Sequence, residues 1–166
     1  PIVAGKTFDG IQGQLWSETL RSDQTVEYMI YPRLLMLAER AWNKPEWEVP
    51  YQYDGAVYNQ STQHFSVQMR QQQATDWQKV ANHLGHKELA KLDKAGIEYR
   101  VPTVGAIIDD KGVLTANIAF PGLQIEYKEQ GKAWQTYLNP VAVEGQVEVR
   151  AITPDGKRKG RTLVVN

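Results

Sequence analysis

Residues Gly10-Ile11-Gln12-Gly13-Gln14-Leu15-Trp16-Ser17-Glu18-Thr19-Leu20-Arg21 decide how the chain is read. Ile11 to Trp16 reads as a short buried strand that runs out into an aromatic, a hydroxyl and a carboxylate. Ser22 or Asp23 then caps a helix, with Glu27 in its first turns near the positive end of the dipole. From Thr25 the residues Val26, Met29 and Ile30, then Leu34, Leu37, Ala38 and Ala41, recur at helical spacing. Pro32 sits inside that pattern. It lacks a backbone donor and its ring crowds the preceding turn, so a kink or two abutting helices are expected. Leu34 to Ala38 is apolar around much of the helix, which requires burial on more than one side. One strand and one apolar helix leave no second layer to cover a sheet face. A strand followed directly by a helix is one unit of a repeating architecture. Residues 1–42 therefore read as the last strand-helix unit of a (β/α)8 TIM barrel whose earlier strands lie upstream. The start at Pro1, without an initiator methionine, reads as a chain excised or processed from a longer one.

Working outward, residues 43–96 read as a loop and helical extension of that barrel. Pro45, Pro50 and the stretch Tyr51-Gln52-Tyr53-Asp54-Gly55 break periodicity. Thr62 to Leu84 reads as a polar helix with a narrow apolar face of Trp77, Val80, Ala81 and Leu84. Gly85 stands in the usual helix-stop position. Lys87 to Ala95 reads as a second short helix closed by Gly96. At Ile97 the period changes to two. Leu114, Ala116, Ile118 and Phe120 alternate with other residues, as do Ile125 and Tyr127, then Val147 and Val149. Turn signals at Asp110-Lys111-Gly112, Glu129-Gln130-Gly131, Asn139-Pro140 and Pro154-Asp155-Gly156 separate the runs. Short strands at that spacing predict an all-β, immunoglobulin-like sandwich over residues 97–166, with no cysteine pair to staple it. The expected fold is mixed: the end of a barrel, a helical linker region, and a sandwich.

Lys plus Arg number 19, as do Asp plus Glu, so the net charge is zero, which argues against a nucleic-acid or anionic-membrane partner. The run Lys157-Arg158-Lys159-Gly160-Arg161 follows a turn signature and has no interleaved aromatics, so it reads as a solvated hairpin tip. The absence of cysteine excludes disulfides and thiolate metal sites. No apolar run is long enough to cross a bilayer as a helix. His83 and His86 are separated by Gly85 and have no third ligand near them, so neither a metal site nor a cofactor is expected. There is no nucleophile elbow and no Gly-rich phosphate loop.

Gly10 to Glu18, followed by Glu27-Tyr28-Met29-Ile30-Tyr31-Pro32-Arg33-Leu34-Leu35-Met36-Leu37-Ala38-Glu39-Arg40-Ala41-Trp42, closely resembles the end of the catalytic barrel of the family 20 glycoside hydrolases. These are β-N-acetylhexosaminidases. The longer helical insert and the terminal sandwich look most like the bacterial chitobiases of marine Vibrio type, so the resemblance covers essentially the whole chain. In barrels of this kind the active site lies at the C-terminal ends of the strands, which is where Trp16 and Glu18 stand. A flat indole stacks on the CH face of a pyranose, and a carboxylate accepts strong hydrogen bonds from sugar hydroxyls. The resemblance implies Trp16 as part of the floor under the terminal sugar and Glu18 as the acceptor for its O4 and O6 hydroxyls. From pattern alone, a Trp in a strand is more often a core residue, and a lone Glu a solvated or capping carboxylate. Arg21 reads as an exposed loop residue, and Arg33, Glu39 and Arg40 as makers of ion pairs.

The same resemblance implies substrate-assisted hydrolysis. The substrate's acetamido carbonyl attacks the anomeric carbon, an Asp orients it, and the adjacent Glu is general acid, then base. This sequence contains no Asp-Glu dipeptide, and Asp109-Asp110 falls in a hairpin turn. No catalytic residue is therefore expected in it, and the chain alone is expected to be inactive. The partners implied are chitobiose and other N-acetylglucosamine oligosaccharides, and the remainder of the catalytic barrel. The location implied for the parent is periplasmic, outer-membrane-associated or secreted. The alternative is an independent carbohydrate-binding or adhesive sandwich module. A line of exposed aromatics from Trp134, Tyr127 and Tyr137 would favour it, but the strand pattern places Tyr127 inward. Trp42, Trp47, Tyr51 and Tyr53 read as packing of the loop on the barrel.

Overall fold

A computed structural model of the chain describes residues 9–49 and 65–166. The first helix, α1 (Asp23–Ile30), is opened by Ser22, whose hydroxyl accepts from the Thr25 amide. It ends at Tyr31, because Pro32 has no N–H to continue the ladder. A second helix, α2 (Arg33–Trp42), begins directly afterwards. The single helical pattern of residues 25–41 is thus two abutting helices.

The strand expected over Ile11–Trp16 does not form. The segment lies outside both sheets, and Ile11, Leu15 and Trp16 are exposed. A strand exists only through a ladder of donors and acceptors with a neighbour, and none of the described residues offers one here. The segment touches α2 instead at Gly13, where a Cβ would stand 2.9 Å from Leu37 Cδ2.

The third helix, α3 (Val67–His83), is capped by Ser66, whose hydroxyl accepts from the Met69 amide. The expected start at Thr62 lies outside the described residues. The expected stop at Gly85 is overturned. The helix runs on through a π turn (Leu84–Glu88) into α4 (Leu89–Ala95). It stops at Gly96, which takes the left-handed conformation at φ 72°. Gly85 serves a different purpose. A Cβ there would lie 1.7 Å from the Pro121 carbonyl oxygen, so only glycine lets the helix approach that backbone.

Seven strands follow: β1 (Gly105–Ile108), β2 (Val113–Asn117), β3 (Gln124–Glu129), β4 (Gln135–Tyr137), β5 (Val141–Ala142), β6 (Val147–Ile152) and β7 (Leu163–Val165). They form two antiparallel sheets, ordered β1-β2-β5 and β4-β3-β6-β7. The alternation read from the sequence is the alternation of burial. Leu114, Ile125, Tyr127, Val147 and Val149 point inward. The β3–β6 register sets Glu126 opposite Arg150 and Lys128 opposite Glu148, and both pairs close as ion pairs at 2.9 Å. The Ala116 amide donates to the Tyr137 hydroxyl at 3.0 Å and ties one sheet to the other.

The core does not stop at the sandwich. Ala81, Leu84, Leu89 and Leu92 from the helical segment join Tyr99, Val101, Val104 and the inward strand residues in one buried cluster. Tyr31, Leu35 and Met36 pack against its edge. Each fully buried Leu or Val among them contributes about 1.5–3 kcal/mol relative to exposure.

The basic run is corrected too. Lys157, Lys159 and Arg161 are exposed, but Arg158 turns back and is largely buried. Its Nε donates to Asp93 Oδ1 at 2.8 Å, its Nη2 to the Ile97 carbonyl at 3.1 Å, and its Nη1 to Glu98 Oε2. The guanidinium also lies 5.0 Å over the Tyr99 ring. Burial and the neighbouring Asp93 push the Tyr99 phenol up, so it stays a neutral donor to Asp93. The turn that presents Arg158 is held by Asp155, which accepts from the Thr153 hydroxyl at 2.6 Å.

Two outcomes follow from these contacts. Gly85→Ala is expected to lower unfolding stability by at least about 1–3 kcal/mol through overpacking against Pro121. Gly10→Ala, with nothing within 4 Å of its added carbon, is the control, and urea titrations of both variants check the contrast. The second outcome concerns the buried Glu129. Its carboxylate accepts from Lys132 Nζ at 2.8 Å and from the Glu144 amide at 3.2 Å. Those bonds, Lys132 first, hold its pKa below the ordinary 4.5. The stability it contributes is complete above that value and is lost as pH falls through the lowered one. Thermal unfolding followed from neutral pH into acid should show a steeper loss for the native chain than for Glu129→Gln.

Candidate functional site

Trp16 and Glu18 lie on the irregular segment between Gly13, packed on α2, and Ser22, the cap of α1. A short turn shapes their surroundings: the Ser17 hydroxyl accepts from the Thr19 amide at 3.2 Å. The Trp16 indole is 84% exposed, and its Nε1 donates to Gln14 Oε1 at 3.1 Å. Glu18 is exposed. One flat aromatic face and one carboxylate two residues apart suit a sugar ring bound edge to hydroxyl, face to indole. The described residues bring no further polar side chain into contact with this pair. Arg21 is exposed and does not pair with Glu18 in the structure.

The other charged residues singled out in the sequence have structural positions. Arg33 Nη1 donates to the Met29 carbonyl at 3.1 Å, across the break between α1 and α2. Glu39 accepts from Asn43 Nδ2 at 2.7 Å. Arg40 pairs with Glu39 and, across to α3, with Asp76, each at 3.4 Å. Trp47 Nε1 donates to the same Asp76 oxygen at 3.2 Å, and Arg40 lies 5.7 Å over the Trp47 ring. This cluster lines a groove of about 430 Å³ with Trp77 and Val80. Nothing in the sequence joins Arg40 to Asp76, which are 36 residues apart. The pairing emerges only when α2 and α3 are set side by side.

His83 is held by a neighbouring carboxylate. His83 Nε2 lies 2.9 Å from Glu88 Oε1, which also accepts from Lys91 Nζ at 2.6 Å. The Lys91 bond, with His83 adding to it, holds the Glu88 pKa below its ordinary value. No group of three or more candidate ligands exists among the described residues. Asp109 is occupied by its turn: one carboxylate oxygen accepts from the Lys111 and Val113 amides, both at 2.9 Å. The aromatics proposed for a binding face of the sandwich do not share one. Tyr127 and Tyr137 meet edge to face at 6.5 Å, with Tyr127 buried. Trp134 roofs the outer ion pairs, with Arg150 3.7 Å and Lys128 5.1 Å from its ring centre.

Comparison with known proteins bears on both halves of the molecule. Residues 88–162 match the model of the chitobiase/beta-hexosaminidase C-terminal domain. Residues 3–45 match the model of the glycosyl hydrolase family 20 catalytic domain. The chain is 40% identical over 165 residues to the N,N'-diacetylchitobiase of Vibrio harveyi, covering 98% of this chain and 18% of that protein. It is 40% identical over 170 residues to a beta-hexosaminidase of Vibrio vulnificus, covering 96% of this chain and 20% of that protein. It is 54% identical over 82 residues to beta-hexosaminidase B of Pseudoalteromonas piscicida, covering 49% of this chain and 10% of that protein. The chain thus spans about a fifth of the length of the Vibrio relatives it matches. In order along its sequence, it is similar first to part of a family 20 glycosyl hydrolase catalytic domain and then to a chitobiase/beta-hexosaminidase C-terminal domain.

Proposed function

We propose that the chain is the C-terminal part of a β-N-acetylhexosaminidase of the chitobiase type, which removes terminal N-acetylglucosamine from chitobiose and chitooligosaccharides. The observation that carries this reading is the exposed pair Trp16 and Glu18 inside the segment that matches the family 20 catalytic domain. In this reading Trp16 forms part of the floor under the terminal sugar, and Glu18 accepts from its O4 and O6 hydroxyls. The acid–base pair of substrate-assisted cleavage comes from residues beyond this chain, which holds no Asp-Glu dipeptide. The parent's other barrel strands flank Ile11–Trp16 and give it the ladder it lacks here. They and their helices also cover the apolar groups left exposed on it and on α2, namely Ile11, Leu34 and Trp42. Residues 1–42 then close a TIM barrel, residues 43–96 extend it, and residues 97–166 form an immunoglobulin-like sandwich. Trp134, Tyr127 and Tyr137 share no exposed face, which gives no support to the sandwich as an independent sugar-binding module.

Two measurements test this. The purified 166-residue chain is expected not to hydrolyse a chromogenic N-acetylglucosaminide, and turnover that survives repurification overturns the reading. In the full-length enzyme, Trp16→Ala and Glu18→Gln are each expected to lower kcat/KM about tenfold or more. Lost stacking and a lost charged acceptor are each worth roughly 1–3 kcal/mol. Both residues are exposed, so the same changes in the 166-residue chain should shift unfolding stability by less than about 0.5 kcal/mol. Unchanged kcat/KM in both variants overturns the site assignment.

A further inference from the structure

We propose that the C-terminal domain sets the position of the sugar-contacting segment through a strap formed by residues 97–101, and that Glu27 and Arg158 are positioning residues for the glycosidase reaction. The proposal rests on the assignment of Trp16 and Glu18 to the terminal-sugar subsite. The strap belongs to neither sheet and to no helix. On one side it is bonded to α1. The Glu98 amide donates to the Glu27 carboxylate at 2.8 Å, and the Arg100 amide donates to the Tyr31 carbonyl at 3.1 Å. The Arg100 guanidinium lies 5.0 Å over the Tyr28 ring and 3.7 Å from the Met29 sulfur. On the other side it is gripped by Arg158, from the hairpin after β6, through the Ile97 carbonyl, the Glu98 carboxylate and the Tyr99 ring.

Glu98 is the hinge of this arrangement, since its amide serves Glu27 and its carboxylate serves Arg158. The bonds fix the middle and the C-terminal end of α1. A helix this short moves as a rigid rod, so fixing those points fixes its N-terminus, where Ser22 caps it. The turn that carries Trp16 and Glu18 runs straight into that cap. The same segment also meets α2, where a Cβ on Gly13 would stand 2.9 Å from Leu37 Cδ2. A displacement of α1 is therefore passed to the indole and the carboxylate, while the sandwich core stays intact.

The test is a set of mutant cycles in the full-length enzyme, read as kcat and KM on a chromogenic N-acetylglucosaminide. Glu27→Ala and Arg158→Ala are expected to lower kcat/KM about tenfold, mainly through KM, because an ångström of misplacement can cost up to about 100-fold. Glu27→Gln retains an oxygen that can accept from the Glu98 amide, and it should restore kcat/KM to within about twofold. In a Trp16→Ala/Glu18→Gln background, Glu27→Ala should cost no more than about twofold, since groups that act as a unit are not additive. In the 166-residue chain, Glu27→Ala should speed amide exchange in residues 23–30 and 97–101 and leave β3 and β6 unchanged. The proposal is overturned if Glu27→Ala costs the same factor in both backgrounds, or costs nothing where Trp16→Ala is costly, or if exchange rises throughout the sandwich. Should Arg158→Ala fail to fold, the Glu27 variants decide alone. If Trp16→Ala/Glu18→Gln leaves kcat/KM unchanged, the subsite assignment is what fails, and the positioning role falls with it.

Discussion

At Gly85 the long helix approaches the sandwich until a hydrogen faces the Pro121 carbonyl, where a Cβ would stand 1.7 Å from the oxygen. The rest of the helical layer is arranged around that contact. A regular α-helix that buries Ala81 and Leu84 would next bury positions 88 and 91, which are Glu and Lys. The π turn at Leu84–Glu88 adds one residue to the turn and moves Leu89 and Leu92 onto the buried face instead. Glu88 and Lys91 then pair with each other on the outside at 2.6 Å. One irregular turn lets a single helix keep its apolar residues inward and bring its backbone against a loop of the sandwich.

The second constraint is electrostatic. Taking a guanidinium out of water is costly unless several acceptors replace the solvent. Arg158 finds two carboxylates, a carbonyl and an aromatic face, from Asp93, Glu98, Ile97 and Tyr99. These groups span the end of α4 and the strap, so the charge is satisfied only when helix, strap and hairpin are in register. A forked cation suits this geometry because its donors leave in several fixed directions at once. Glu98, one of the residues that neutralise Arg158, is also bonded to α1 through its amide.

Much of the sandwich was legible because period-two alternation and turn glycines are local signals. Leu114, Tyr127, Val147 and Val149 could be assigned inward, and Gly112, Gly131 and Gly156 do take positive φ. Register was not legible: Glu126 with Arg150 and Lys128 with Glu148 are pairs only once β3 is laid beside β6. Gly85 misled because glycine serves both as a helix stop and as a point of close approach. The clue that it is the second was the spacing of five between Leu84 and Leu89. Arg158 misled for a similar reason, since a basic run after a turn gives no sign that one member points back. Ile11–Trp16 has the composition of a strand, but a strand is a relation between two segments. At the candidate site, Trp16 and Glu18 were singled out through family resemblance and not through pattern. Their support, by way of Glu27 and the Glu98 amide, spans 71 residues and leaves no trace in local sequence.

The two ends of the molecule stand in different physical conditions. The sandwich and the helical segment close one core between them, and on the sandwich's outer face ion pairs shelter under Trp134. The segment from Ile11 to Trp42 buries Leu35 and Met36 partly against that core, yet leaves Ile11, Leu34 and Trp42 exposed. Large apolar groups contribute about 1.5–3 kcal/mol each when covered, so this face favours a covering partner far more than water. In the proposed enzyme that cover is the rest of the catalytic domain. α1 and α2 then lie between two bodies, one packed on their open face and one bonded through residues 97–101. A turn with the proposed sugar-contacting role that depended on the first alone could shift whenever that covering domain relaxed around α1. The bonds from Glu27 and Tyr31 to the strap give α1 a second, polar attachment whose geometry does not depend on how the apolar face is packed. Hydrogen bonds are directional where apolar contact is not. The polar strap is therefore the element that can fix the orientation of Trp16 and Glu18, while the apolar face supplies the energy that holds the parts together.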